Sequence, residues 1–275
     1  MESFFTFLEK RAVDSSSLLC IGLDPHTSDL PAPNAEGALR FCLDLVLRTA
    51  PFAAAFKPNA AFFEQFGAPG WEALRQVIEA VGEQSQRLGS LIPVILDGKR
   101  GDIASTADAY ARSAFKVLGA HAVTLSPYLG RDSIEPFLAD AEKGAFLLCK
   151  TSNPGASDLQ DLPTGETGEP LYIAVARLAR QWNTRNNVGL VVGATQPEAL
   201  ARVRAAAPEL WILAPGVGAQ GGDLEAALKA GLRADGQGLL LPVSRAISRT
   251  PDPGKAAAAL RDAIVSIVYD ASKER

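Results

Sequence analysis

Histidine, cysteine and clustered basic charge are all scarce in this sequence. Its 275 residues include two histidines and three cysteines. No His or Cys pair has the spacing of a metal site, so no metal is expected. The cysteines, Cys20, Cys42 and Cys149, are odd in number, far apart and each set in an apolar run. That excludes a disulfide framework and fits reduced thiols in a cytoplasmic protein. Basic residues never run longer than a pair and the net charge is −4, so no nucleic-acid partner is expected. No apolar stretch reaches roughly 18 residues, which argues against a membrane-spanning helix. The opening "MESFFTFLEKRAVDSSSLL" mixes acids with apolar residues and does not read as a signal peptide.

What is present is a recurring short apolar run. There are eight: "LLCIGLD" (18–24), "AAFKPN" (54–59), "IPVILDGK" (92–99), "AVTLSP" (122–127), "AFLLCKTS" (145–152), "VGLVVGAT" (188–195), "LWILAPGVG" (210–218) and "GLLLPVS" (238–244). Near-continuous apolar runs of this length suit parallel strands covered on both faces. The intervening segments carry helical spacing, as with Trp71, Leu74, Val77, Ile78 and Val81. A last helix is expected at about 253–272. An open doubly wound sheet alternates in the same way. The count of eight, with no inserted unit or break in composition, favours one α/β domain over 1–275, a (β/α)₈ TIM barrel. The longest irregular stretch, "NPGASDLQDLPTGETGEP" (153–170), reads as a loop long enough to be functional.

The polar residues of these strands gather at their C-terminal ends. Asp24 ends the first, Lys57 lies near the end of the second, Asp97 and Lys99 end the third, Ser152 the fifth, and Arg245 follows the eighth. Any strand that meets water ends in something polar, but charges flush with four different apolar runs exceed that expectation. In a barrel they share one mouth, where catalytic residues of this fold collect. Asp97 and Lys99, two apart on a strand, share a face. Asp102, past Gly101, either caps the following helix or serves a neighbouring subunit. His121 falls at a helix–strand junction and reads as structural. His26 follows Asp24-Pro25 at the mouth, with no visible partner.

"GVGAQG" (216–221) matches G-x-G-x-x-G after a strand, which alone would suggest a dinucleotide-dependent oxidoreductase. Only one strand remains after it, so half of such a site is missing. It fits better as a single-phosphate cradle of backbone N–H groups, with Arg245 helping.

Taken together these residues resemble the orotidine 5′-phosphate decarboxylase family. Its central motif, Asp-x-Lys-x-x-Asp at the end of the third strand, is matched by "DGKRGD" (97–102). "GLDP", "FKPN", "SNPGA", "APGVGAQGGD" and "SRAI" follow in the family's order, and the "FKPN" form resembles its longer subgroup. The resemblance implies conversion of orotidine 5′-monophosphate to uridine 5′-monophosphate without cofactor, in a homodimer. It implies that Lys99 protonates pyrimidine C6 and that Asp97 lies beside the substrate carboxylate. Lys57 would bond Asp97 and a ribose hydroxyl, with Asp24 also on the ribose. Ser152 and Gln220 would contact the pyrimidine, Gln220 would reach on to the phosphate, and Arg245 would bind it. Asp102, Ile103 and Thr106 would enter the partner subunit's site.

The chemistry suits the array. Loss of CO₂ from C6 leaves an electron pair with no good sink, so fixed charges must stabilise it. Magnesium-dependent sugar-phosphate relatives share Asp-x-Lys-x-x-Asp but lack a lysine on the second strand, so Lys57 argues against them. A non-catalytic phosphate-binding barrel would have no use for Asp97 and Lys99.

Overall fold

The computed structural model describes residues 2–217 and 223–273. Eight parallel strands occupy the eight predicted runs: β1 Leu19–Leu23, β2 Ala55–Pro58, β3 Ile95–Arg100, β4 Ala122–Leu125, β5 Gly144–Lys150, β6 Val188–Val192, β7 Ile212–Leu213 and β8 Leu239–Val243. Their order is β2-β1-β8-β7-β6-β5-β4-β3. The two ends of that row meet through the bridges Phe56↔Val94 and Asn59↔Asp97. The sheet thus closes into a barrel, and the doubly wound alternative is set aside.

The major helices lie outside: α1 Phe4–Asp14, α2 Ala35–Thr49, α3 Ala68–Leu88, α4 Ala104–Arg112, α5 Leu171–Trp182, α6 Pro197–Ala206, α7 Leu224–Gly231 and α8 Pro253–Lys273. Helix α3 buries Leu74, Val77, Ile78 and Val81 as their spacing predicts, and Gly89 closes it in a left-handed cap. The β4–β5 connection carries only short turns, among them Glu135–Leu138. No described helix is long and apolar enough to cross a membrane.

Helix α1 precedes the first strand and plugs the barrel's N-terminal end. Phe4 and Phe5 pack edge-on against Phe146 of β5, and Phe5 stacks on Trp211 at 6.2 Å. All four are essentially inaccessible to solvent. Gly144 is required beneath them, since a Cβ there would lie 2.3 Å from the Phe4 ring. Aromatic contacts of this kind add stabilisation beyond the area they bury.

His121 is structural, as its position implies. Its Nδ1 accepts a hydrogen bond from the Val94 N–H at 3.1 Å, tying the start of β4 to β3. Burial, with Lys143 nearby, pushes its pKa down to about 4 from 6.5. A lowered histidine pKa means the unfolded chain takes up the proton first. Stability is therefore full above pH 6.5 and falls as pH drops from 6.5 toward 4, by roughly 2–3 kcal/mol from this group. Urea titrations across that window should show the loss, and His121→Asn should flatten it. An unchanged slope in that variant would remove His121 from the acid response.

Candidate active site

The centre of the site is built on the seam where β2 meets β3. Lys57 on β2 donates to Asp97 Oδ2 at 2.8 Å. Lys99 donates to Asp97 Oδ1 at 2.6 Å. The Thr124 hydroxyl on β4 donates to the same oxygen at 2.9 Å. One carboxylate thus accepts from two ammonium groups and a hydroxyl. The Lys57 and Asp97 side chains are only 9% and 11% exposed, whereas Lys99, also at the cavity, is 50% exposed.

The electrostatics follow from that sharing. Burial opposes ionisation of Asp97, but Lys57 and Lys99 overcome it and hold the carboxyl far below the usual range. Burial likewise opposes the charge on Lys57, but Asp97 and then Asp24 hold its ammonium above its ordinary value. Both groups stay charged across the physiological range. Cys20, beneath them, is pushed up to about 12, chiefly by burial, and stays a thiol.

The path from Asp97 to Lys99 departs from a regular strand. Four steps from Leu96 to Arg100 oppose two from Val123 to Leu125, so Gly98 and Lys99 sit in a bulge. Lys99 has φ +44°, a left-handed conformation unusual for a side-chain-bearing residue. Its backbone N–H is held by Thr124 Oγ1 at 3.0 Å. The two charged residues share a cavity as expected, but the bulge and Thr124 bring Lys99 back to Asp97, rather than simple alternation. Thr124 escaped the sequence reading. Its only signal was a hydroxyl inside the apolar run "AVTLSP".

The cavity over this cluster has a volume of about 690 Å³, within the range of small-molecule sites. Asp24, Lys57, Asp97, Lys99, Ser152 and Arg245 all line it. Six of the expected residues, from five different strand ends, therefore converge. Asn153, Gln160 and Ser244 also line it; none was singled out as a site residue, although Asn153 and Gln160 fall in the 153–170 stretch expected to be a functional loop. His26 is at the rim, its ring 4.4 Å from that of Phe62. Asp24 Oδ1 and Ser244 Oγ are buried with no hydrogen-bond partner among the described residues.

Three expected site residues are not in this cavity. Asp102 makes no described ion pair with Lys99, and its Oδ1 accepts only from the adjacent Ile103 N–H at 2.8 Å. It does not cap α4 either. The residue at the cap is Ile103, with no side-chain bond. The helix begins at Ala104, one residue too late for Asp102 to occupy the capping position. Ile103 and Thr106 are exposed on the outer side of this segment. Gln220, and most of the "GVGAQG" loop, lie outside the described residues.

Comparison with known proteins agrees with this geometry. Residues 17–260 match the family described as "Orotidine 5'-phosphate decarboxylase / HUMPS family". The chain is 52% identical over 265 residues to the orotidine 5′-phosphate decarboxylase of Roseiflexus castenholzii, covering 95% of this chain and 94% of that one. Its fold is similar to that of Leishmania donovani OMP decarboxylase, with a TM-score of 0.87 and 54% identity over 97% of this chain and 99% of that one. It is similar also to Leishmania donovani UMP synthase, with a TM-score of 0.89 and 55% identity, covering 98% of this chain and 57% of that longer one. Matched by the family model over most of its length and by a relative at 52% identity over 265 residues, the chain belongs to the orotidine 5′-phosphate decarboxylase / HUMPS family.

Proposed function

We propose that this protein decarboxylates orotidine 5′-monophosphate to uridine 5′-monophosphate, the last step of pyrimidine nucleotide synthesis. The observation that carries the reading is the Lys57–Asp97–Lys99 chain of hydrogen-bonded charges beneath one nucleotide-sized cavity. The lysine on β2 and relatives named as orotidine 5′-phosphate decarboxylases favour this reaction over the sugar-phosphate chemistry of the wider family.

In this reading the bond from C6 to the carboxylate breaks, CO₂ departs, and the electron pair stays on C6. The Lys99 ammonium stabilises that pair and then transfers a proton to it, to be recharged from solvent. Asp97, held ionised by Lys57, faces the substrate carboxylate and keeps Lys99 charged and aimed. Because these charges are fixed before substrate arrives, little reorganisation is needed as charge develops. Asp24 takes a ribose hydroxyl, Ser152 and Gln220 the pyrimidine, and Arg245 the phosphate. Binding the phosphate, remote from C6, supplies energy for the step at C6. The reaction as written uses no metal or cofactor. The reading places the enzyme in the cytoplasm, with 1–275 as one barrel domain.

We also propose a homodimer in which Asp102, Ile103 and Thr106 complete the partner's site. Ile103, Tyr128 and Leu129 are large apolar residues left 52%, 78% and 48% exposed. Leu129 lies 3.6 Å from the Cβ position of Gly101, so the apolar patch adjoins Asp102. A patch of this kind marks an interaction surface.

Purified protein mixed with orotidine 5′-monophosphate in EDTA should lower the absorbance of the orotate band. No fall from folded protein would overturn the activity. Lys99→Ala should lower kcat by about 10⁴-fold or more, since it removes both proton donor and carbanion partner. Arg245→Ala should raise KM roughly 10- to 100-fold, the value of a charge-assisted phosphate contact. An unchanged KM would displace the phosphate from β8. Lys99→Ala and Asp102→Ala chains, each inactive alone, should regain up to about a quarter of wild-type activity when co-refolded, because half the dimers then hold one complete site. Mixtures that stay inactive would exclude a shared site.

A further inference from the structure

The long loop 151–170 is tied to the end of β5 by an ion pair to which the decarboxylation chemistry gives no role. Lys150 is the last residue of β5 and is 4% exposed. Two steps from Leu148 to Lys150 oppose one from Val191 to Val192. That bulge breaks the alternation of the strand. Leu148 lines the main cavity, while Lys150 lines a neighbouring groove of about 550 Å³. There its Nζ donates to both oxygens of Asp161 at 2.7 Å, and stands 5.5 Å from the centre of the Tyr172 ring.

A second tie lies directly beside this one. Thr151 N–H donates to Gln160 Oε1, and Gln160 Nε2 donates to Thr151 Oγ1, both at 2.9 Å. Thr151 Oγ1 donates in turn to Asn153 Oδ1 at 2.6 Å. The outgoing limb 150–151 and the returning limb 160–161 are thus fastened in two parallel places. Between these ties lie Ser152 and Asn153, which line the cavity on the wall opposite Asp24, since β5 and β1 face each other across the barrel.

We propose that Lys150 and Asp161 are positioning residues for the Ser152–Asn153 rim: their ion pair clamps the base of the 151–170 loop so that this rim meets the nucleobase end of the substrate. The inference rests on the decarboxylase reading for what occupies the cavity. Lys150 is buried and, of the two, only the Asp161 carboxylate reaches solvent, at 44% exposure, so the ammonium depends on that carboxylate in place of water. Its two hydrogen bonds to one carboxylate fix direction as well as distance. Neither group touches the cavity, so their effect on substrate passes entirely through the rim. An error of about 1 Å in such a rim is enough to cost about 10²-fold in rate.

The test uses Lys150→Met, which removes the buried charge and leaves Asp161, already 44% exposed, free to hydrate. Steady-state kinetics at 20 °C are read beside inhibition by uridine 5′-monophosphate and by ribose 5-phosphate. The expected result is a fall in kcat/KM of about 10²-fold. Uridine 5′-monophosphate should bind at least about tenfold more weakly, while ribose 5-phosphate stays within about twofold. Adding Asp161→Leu should do no further harm, because the pair acts as one unit. Asp161→Asn, which keeps a hydrogen-bonding group on Lys150, supplies a milder variant and should show a smaller loss of the same pattern. Unchanged kcat/KM with a lower melting temperature would make the pair merely structural and overturn the proposal. Equal weakening of both inhibitors would do the same. If the wild-type chain itself leaves orotidine 5′-monophosphate untouched, the decarboxylase reading falls, and the clamp with it. An active wild type beside equally active variants sinks the clamp alone.

Discussion

The carboxylate of Asp97 is the constraint around which the site is arranged. Two ammonium groups and a hydroxyl converge on its two oxygens. Burying charge is costly unless each group is paired and hydrogen-bonded. Lys57 is almost wholly buried, so it has no alternative partner in water. Asp97 is therefore a structural necessity for Lys57 as well as an aiming device for Lys99. The same bond that makes the buried lysine tolerable fixes the carboxylate on which the exposed lysine rests. Because Lys99 is half exposed, it alone of the three can change partners when a charged ligand enters.

This cluster also marks where the barrel closes. Between most neighbouring strands the backbone ladder is continuous, but β2 and β3 meet only through two isolated bridges. Side chains take over where the ladder is thin. Lys57 on β2 reaches Asp97 on β3, and Arg100 at the end of β3 pairs with Glu64 just beyond β2. The backbone of Asp97 itself accepts from the Ala60 N–H at 3.2 Å. Polar residues of the candidate site thus also stitch the seam. A continuous ladder there would leave less freedom for the bulge that turns Lys99 back to Asp97.

All eight strands were legible because a parallel barrel strand is buried on both faces and so leaves an unbroken apolar run. The charges at the mouth were legible because they interrupt those runs at their ends. Local detail was not. Nothing in "LDGKRGD" shows that Lys99 adopts φ +44° or that a bulge re-aims it, since both depend on Thr124 from a strand 25 residues later. Asp102 looked like a helix cap, but the helix begins after Ile103, and register at a turn is set by tertiary contacts. The 153–170 stretch read as loop. Its short hairpin, Pro163–Thr164 with Glu169–Pro170, and its ties to Lys150 and Thr151 are pairings within an irregular segment and leave no periodic signal.

The two ends of the barrel carry opposite burdens, and each explains the other. At the mouth, Lys57 and Lys150 are ammonium groups held out of water, and Lys99 is held in a sparsely populated backbone conformation. Such features lower stability relative to an apolar strand end. At the other end Phe4, Phe5, Phe146 and Trp211 form a dry aromatic plug with no polar duty. Its Trp211 ring nitrogen still finds Glu9 at 3.2 Å, and Arg233 joins the same carboxylate. A fold whose net stability is a small difference of large terms can hold strained, charged groups at one end when apolar burial elsewhere offsets them. The strand direction decides which end is which: every parallel strand ends at the mouth, so the variable loops and their charges collect there, and α1 is free to seal the opposite face.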